Sequence, residues 1–196
     1  MTYRLIGDSC SDLDENLKKN ENIRIVPLTL EIGDYQVIDD DKFNQKDFIK
    51  RMAESKVGAK SACPSPEAFK EAMECDTDMI FVVTLSDHLS GSYQSAEIGK
   101  KLYEEEYEKK DILVLSSKSA SAGQYRLMLE LEKLCEQGLK FEEISKRITK
   151  LRDEMKTYFV LESLDTLRKN GRLSAVTAFI ASALNIKPIM GAVDGV

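Results

Sequence analysis

Apolar residues in the first part of the chain form short continuous runs. Between these runs lie segments in which apolar residues recur at helical spacing. The continuous runs Tyr3–Ile6, Met79–Leu85 and Asp111–Leu115 are typical of strands that are covered on both faces. Each run ends in a cluster of small polar residues, and the later two clusters lead into long helical stripes. This order predicts an α/β fold with a doubly wound, mostly parallel sheet, in which Met79–Leu85 is a central strand.

Capping residues indicate where several helices begin. Asn44 is suited to cap one helix, and Ser65-Pro66 another, because a serine oxygen accepts from first-turn amides and proline needs no acceptor there. Ser11 predicts the cap of a brief helix through Leu17. Apolar stripes predict further helices that end near Tyr107, at Gly138 and near Met155.

The segment between the first strand and the first long helix carries a different pattern. Ile23–Ile32 is rich in β-branched residues and leucine, and Gly33-Asp34 then turns the chain toward Tyr35–Ile38. This pattern predicts a hairpin or an excursion at the edge of the sheet.

The pattern changes again after residue 156. A strand is predicted over Tyr158–Leu161, followed by a basic turn, a weakly polar helix near Ala175–Leu184 and an extended Ile186–Val193. About forty residues are too few for an independent core. We therefore predict an α/β domain over 1–156 and the start of a second, incomplete α+β domain over 157–196.

Composition and charge exclude several classes of protein. The formal net charge is -6 with both signs interspersed, which gives no basic surface for nucleic acid. The longest apolar stretches are too short for a membrane span, and no signal-peptide pattern opens the chain, so we expect a cytoplasmic protein. Four scattered cysteines and one histidine favour free thiols in or near a core over a metal site or disulfides.

Small polar residues accumulate where ligands bind in open α/β sheets, at the carboxyl ends of the strands. Helix N-termini at this edge favour a carboxylate or a phosphate. For any one serine, capping is the simpler explanation, but their accumulation predicts a ligand site. The residues in question are Asp8, Ser9, Ser11, Ser61, Ser65, Ser86, Ser90, Ser92, Ser116, Ser117 and Ser119.

No catalytic residue is predicted. Ser90 is not part of a G-x-S-x-G nucleophile motif, and His88 is badly placed to act as its base. Glycine-rich nucleotide loops are also absent from the sequence, so no nucleotide cofactor is expected. The basic turn with Arg168, Lys169 and Arg172 is either a solvated surface or a docking site for an anionic partner.

Several motifs, in the same order along the chain, resemble those of the DegV family of fatty-acid-binding proteins. The segment Leu89–Ala96 resembles L-S-G-T-Y-Q-S-A and is the most specific of them. The others resemble D-S-x-x-D, T-S-Q-P-S, K-G-G-R-I and I-K-P-I, and they lie at Asp8–Asp12, Ser61–Ser65, Lys169–Leu173 and Ile186–Ile189.

This resemblance implies a two-domain carrier that holds one long-chain fatty acid in a tunnel between its domains. The carrier presents the carboxyl group to a separate fatty acid kinase subunit, which forms the acyl phosphate. By position, Ser61 and Ser90 would bind the carboxyl group, with Ser92 and the Gly91 amide nearby, and Ser9 and Ser65 complete the predicted ligand-binding set. Arg172, with Lys169 and Arg168, would face the kinase or the phosphoryl group.

The sequence also departs from the family pattern. Ser61-Ala62-Cys63 stands where the family has threonine, serine and glutamine, so we expect head-group recognition to differ. We also expect the chain to be shortened at its C-terminus, where the family carries a histidine near the carboxyl group. The alternatives are a small-molecule enzyme that uses the serine-lined cleft for acyl or phosphoryl chemistry, and a regulatory or scaffold protein.

Overall fold

The computed structural model describes residues 1–161, 187 and 189–195. Contacts divide the chain into two compact units, the first comprising Met1–Leu28, Cys63–Met155 and Asp194–Val196, and the second Thr29–Ala62 and Lys156–Val193. This division differs from the linear domain prediction of 1–156 and 157–196. The strands of the segment Thr29–Ala62 pair with one another and not with the parallel sheet.

The strands and helices alternate much as the sequence predicts. The strands described are β1 (Tyr3–Asp8), β2 (Ile23–Val26), β3 (Thr29–Ile32), β4 (Tyr35–Ile38), β5 (Lys60–Ala62), β6 (Met79–Thr84), β7 (Asp111–Ser116), β8 (Thr157–Phe159) and β9 (Met190–Ala192). The helices are α1 (Glu15–Lys18), α2 (Gln45–Glu54), α3 (Pro66–Met73), α4 (Ser92–Glu106), α5 (Ala122–Glu136) and α6 (Phe141–Glu154).

The first unit is built on a parallel sheet in the order β2-β1-β6-β7. After β1 the chain continues to β2 at one edge of the sheet, and after β6 it continues to β7 at the other edge. The boundary between β1 and β6 is therefore the topological switch point of a doubly wound sheet. The predicted α/β fold class is confirmed, and so is the internal position of β6.

Alternate residues of each strand supply the two faces of this core. On β6, Phe81 and Val83 join a buried cluster with the apolar faces of α5 and α6. Ile80 and Val82 point to the opposite face and join α3 and α4 in a second cluster. Every side chain of β6 is buried, which explains why its sequence is a continuous apolar run.

Two of the predicted caps are confirmed, and one is wrong. The Asn44 side chain accepts from the Asp47 amide at 3.1 Å, and Ser65 accepts from the Ala68 amide at 3.2 Å. The cap of α1 is Asp14 and not Ser11, because Asp14 accepts from the amides of Asn16 and Leu17. Ser11 is instead buried in a polar network beside the sheet.

The second unit contains two small antiparallel sheets in its described residues. The predicted hairpin across Gly33 forms between β3 and β4, and the unpredicted β5 pairs with the other edge of β3. The predicted strand Ile23–Ile32 is split, and its first half, β2, belongs to the parallel sheet. Strand β8 pairs with β9. The predicted basic turn and the predicted helix near 175–184 lie outside the described residues.

Two further expectations concern membranes and cysteines. In the described parts of the chain, no helix is both long enough and apolar enough to cross a bilayer. None of the four cysteines, which all lie in the described residues, forms a disulfide, and burial raises the pKa of the Cys135 thiol to about 12. Cys63 is exposed, so the expectation that the thiols lie in or near a core is wrong for this residue.

Helices α3 and α4 pack closely because α4 has a glycine at the contact. A Cβ atom at position 99 would lie 2.6 Å from the carbonyl oxygen of Pro66 and 2.9 Å from the Cβ of Phe69. The Pro66 carbonyl oxygen belongs to the backbone, so it can move away only if α3 itself shifts. We expect Gly99→Ala to lower the free energy of unfolding by about 1–3 kcal/mol in urea titrations, despite alanine's better helix propensity.

The matched control is Lys101→Ala, an exposed position of the same helix, which should change the free energy of unfolding by less than about 0.5 kcal/mol. Equal stability of Gly99→Ala and the wild type would contradict the close packing of α3 on α4.

Candidate ligand-binding site at the sheet switch point

The loops that follow β1, β6 and β7 are joined by hydrogen bonds at the carboxyl edge of the sheet. The Leu85 amide donates to Oδ2 of Asp8 at 2.8 Å. The Ser86 amide donates to the carbonyl of Ser119 at 2.8 Å, and the Ser121 amide donates to the carbonyl of Cys10 at 2.9 Å. The expected convergence of these polar loops is therefore present in the first unit.

Asp8, the last residue of β1, lies at the centre of this convergence with no exposed surface. Its Oδ1 accepts from Nε2 of Gln124 at 2.9 Å and from the Cys10 amide at 3.2 Å. Burial raises the pKa of Asp8, and the surrounding hydrogen bonds oppose that rise. Because the Leu85 amide, the Cys10 amide and Gln124 Nε2 all donate, they are arranged to hold the acceptor-only carboxylate.

Gln124, which donates to Asp8, lies in the first turn of α5. Its Nε2 also contacts the Ser11 hydroxyl at 3.3 Å. Its Oε1 is buried and has no hydrogen-bond partner in the described residues. Gly7 leaves room for Ser11, since a Cβ at position 7 would lie 2.8 Å from the Ser11 oxygen. The result is a closed polar cluster under the loops.

The loop before α4 carries the most specific motif of the sequence. Ser90 Oγ accepts from the Ser92 amide at 3.2 Å and lies 3.2 Å from Ser92 Oγ. Ser92 is fully buried, whereas Ser90 is half-buried. Gly91 caps α4 without a side-chain hydrogen bond, so first-turn amides and the positive end of the helix dipole face the same loop. This arrangement suits a negatively charged group beside Ser90.

Two other predicted ligand residues accept hydrogen bonds from backbone amides. Ser65 caps α3, and the Ser9 hydroxyl accepts from the Leu28 amide at 3.1 Å. Ser61 is a half-buried residue of β5 in the second unit. The ligand-binding roles of these serines remain predictions. Arg168, Lys169 and Arg172 lie outside the described residues.

The remaining serines of the predicted cluster hold the loops in place. Ser116 Oγ donates to Asp87 at 2.5 Å, and this hydrogen bond holds the pKa of the Asp87 carboxyl below its usual range. The Ser86 hydroxyl donates to the carbonyl of Gly195 at 2.7 Å. These contacts give the loops structure without requiring a ligand.

Gln124 is a residue of the candidate site that the sequence did not predict. It stands in the apolar stripe of α5, three residues before Leu127 and four before Met128, both of which are fully buried. A polar residue in a buried stripe needs a hydrogen-bond partner, and this signal could have identified it. Its partner Asp8 is 116 positions away in sequence, so no local pattern connects the two.

A doubly wound sheet with hydroxyl groups and a helix N-terminus at its switch point defines an α/β protein that binds a small polar or acidic group. Comparison with known proteins makes the assignment specific. The family model of the DegV family matches residues 2–196, and the chain belongs to this family.

Individual relatives agree with this assignment. A DegV domain-containing protein of Streptococcus gordonii is 37% identical over 191 residues, which cover 96% of this chain and 68% of the relative. A DegV family protein from Ruminococcus gnavus, whose crystal structure contains vaccenic acid, superimposes with a TM-score of 0.91 at 44% identity, covering 100% of this chain and 69% of the other.

A third relative carries a different acid. The fatty acid kinase (Fak) B3 protein of Streptococcus pneumoniae, solved with linoleic acid, superimposes with a TM-score of 0.91 at 35% identity. The match covers 100% of this chain and 70% of the Streptococcus pneumoniae chain. The family resemblance derived from the motifs is thus confirmed.

Removal of the Asp8 carboxylate tests its place at the centre of the site. Asp8→Ala would leave buried donors without an acceptor, which costs about 1–3 kcal/mol. We expect a loss of this size in the free energy of unfolding, measured by urea titration. Asp76→Ala is the control, since Asp76 is an exposed loop residue of the same unit, and it should change stability by less than about 0.5 kcal/mol. Wild-type stability of Asp8→Ala would contradict the assignment.

Proposed function

We propose that this protein binds a long-chain fatty acid and holds the acid's carboxylate at the Ser90–Ser92 loop. The observation that carries the proposal is the half-buried Ser90 hydroxyl beside the open N-terminus of α4. Similar proteins support the ligand class, because the relatives from Ruminococcus gnavus and Streptococcus pneumoniae were solved with vaccenic and linoleic acid. A relative from Eubacterium eligens was solved with heptadecanoic acid.

The head group and the tail contribute differently to binding. A hydrogen bond to a charged group contributes about 1.5–3 kcal/mol. A tail of ~15 methylenes, buried at ~0.8 kcal/mol each, contributes on the order of 12 kcal/mol before ordering costs. The tail therefore sets most of the affinity, and the serine loop sets the orientation of the carboxylate.

The geometry gives less support to the alternative of an acyl-transfer or phosphoryl-transfer enzyme. The Ser90 hydroxyl lies against the Ser92 hydroxyl, and serine cannot act as a general base in the way that histidine does. His88 is exposed on the preceding turn. We therefore assign this protein a carrier role.

We extend the carrier role to a partner protein. In this extension the bound carboxyl group is presented to a separate kinase subunit, which converts it to an acyl phosphate. The similarity to the fatty acid kinase B3 protein supports the extension. The basic residues Arg168, Lys169 and Arg172 are the proposed docking site for the kinase or the phosphoryl group. Ser61 is proposed as a second hydrogen-bond donor to the carboxylate, from its position in the motif.

Native mass spectrometry of freshly expressed protein tests fatty acid binding directly. We expect a population whose excess mass corresponds to one long-chain acid, and we expect delipidated protein to take up added linoleic acid. Protein that carries no acyl species and takes up none would overturn the proposal.

Ser90→Ala tests the site of the head group. We expect about tenfold weaker binding of linoleic acid in a fluorescent-ligand displacement assay, because one hydrogen bond to the carboxylate is lost. Ser145→Ala is the matched control, since the Ser145 hydroxyl is buried without a partner among the described residues. Equal affinities of the two variants would place the head group elsewhere.

Arg172→Ala tests the proposed docking role. We expect this variant to bind linoleic acid like the wild type. We expect the acid bound to it to be converted to acyl phosphate more slowly by a fatty acid kinase subunit, because a cation that attracts the phosphoryl group is lost. Equal loss of lipid from Arg172→Ala and Ser90→Ala would contradict this division of roles.

A further inference from the structure

One buried serine holds the loop that leads to Ser90. Ser86, in the loop after β6, has no exposed surface. Its backbone carbonyl accepts from the Leu89 amide at 3.0 Å and from the Ser90 amide at 3.1 Å. Its hydroxyl accepts from the His88 amide at 3.2 Å. Three consecutive amides of this loop are therefore bound to Ser86, and the last of them belongs to Ser90 itself.

The Ser86 hydroxyl donates its one hydrogen to a segment that is distant in sequence. The acceptor is the carbonyl of Gly195 at 2.7 Å, and a carbonyl oxygen can only accept, so the direction of this hydrogen bond is fixed. Asp194 and Gly195 group with the first unit. Lys118 Nζ, from the loop after β7, lies 3.4 Å from Oδ1 of Asp194. The turn at residues 194–195 is thus bonded to two of the loops at the carboxyl edge of the sheet.

The fit of this turn depends on glycine at position 195. Gly195 is buried, and its φ of 88° lies in the left-handed region that side chains rarely adopt. A Cβ atom there would collide with Ser86 Oγ and would lie 3.0 Å from the Cα of Lys118. A side chain at position 195 must therefore displace either the turn or Ser86.

We propose that the 194–195 turn is a positioning element of the head-group site and that it acts through Ser86 on Ser90. The inference rests on the proposed function and deepens it, because it gives a segment far from the serine motif a role in carboxylate binding. The Ser90 amide is anchored to the Ser86 carbonyl, and the Ser90 hydroxyl accepts from the Ser92 amide at 3.2 Å. A shift of Ser86 is therefore passed to Ser90 through a single hydrogen bond.

A second contact of Ser86 limits the size of the effect. The Ser86 amide donates to the carbonyl of Ser119 at 2.8 Å, and this hydrogen bond does not involve the 194–195 turn. Loss of the turn should therefore loosen the loop without unfolding it. We expect weaker binding of the carboxylate and no loss of the fold.

Gly195→Ala tests the inference by linoleic acid binding. We expect about fivefold weaker binding, because the hydrogen bond from Ser90 to the carboxylate is misaligned and only part of its contribution is lost. Gly138→Ala is the matched control, since Gly138 also has a positive φ, 70°, but a Cβ there would meet no atom within 4 Å. This control introduces similar backbone strain at the C-terminal end of α5 and should change binding by less than about twofold. Equal affinities of the two variants would overturn the inference.

A second ligand separates positioning from general loss of structure. The affinity for linoleic acid is compared with that for the matching primary alcohol, which has the same tail and no carboxylate. We expect Gly195→Ala to reduce the ratio of the two affinities, because the turn acts on the group that binds the carboxylate. A variant that binds both ligands more weakly by the same factor would overturn the inference.

A double-mutant cycle tests whether the turn acts through Ser86. Ser86→Ala removes the hydrogen bond to Gly195 and also the oxygen with which a Cβ at position 195 collides. We expect Ser86→Ala to weaken linoleic acid binding by about fivefold, and Gly195→Ala to add less than about twofold in that background. Multiplicative losses, about 25-fold in the double variant, would show that Ser86 does not carry the effect and would overturn the inference.

Hydrogen exchange of delipidated protein distinguishes failure of this inference from failure of the proposed function. We expect the Leu89 and Ser90 amides, which donate to Ser86, to exchange about threefold faster or more in Gly195→Ala than in Gly138→Ala. Unchanged exchange would overturn this inference and leave the proposed function standing. A wild-type chain that binds no linoleic acid would overturn the proposed function and this inference with it.

Discussion

The buried carboxylate of Asp8 is the interaction on which the proposed site depends. It ends β1 at the switch point, and its oxygens accept from the Leu85 amide and from Gln124 on α5. Three separate parts of the first unit are thereby held together by one residue. A buried carboxylate is unfavourable unless donors surround it, so the loops are fixed by the need to satisfy this group.

The parallel sheet explains why these groups meet. Strands β1 and β6 are adjacent and parallel, so the loops that follow them leave the sheet at the same edge. The contact at Gly99 brings α4 close to α3, and the N-terminus of α4 carries the Ser90–Ser92 loop. The Ser90–Ser92 loop, which is the proposed ligand site, is therefore placed by packing at some distance from it, as is common for binding loops on rigid scaffolds.

Local patterns were sufficient to predict much of the fold. The continuous apolar run of β6 and the Ser65-Pro66 start of α3 indicate their structures because burial and capping act on neighbouring residues. The grouping of Thr29–Ala62 with the second unit was not predictable in this way, since it depends on which strands pair. Likewise, the sequence indicated the serines of the proposed site, but the Asp8–Gln124 contact joins residues far apart in the chain.

The central claim is that the acid's carboxylate binds at the Ser90 hydroxyl. The most direct measurement is a crystal structure of this protein with linoleic acid. We expect a carboxylate oxygen at about 2.6–2.9 Å from Ser90 Oγ, beside the N-terminus of α4. A carboxylate bound away from the N-terminus of α4, with Ser90 still paired to Ser92, would contradict it.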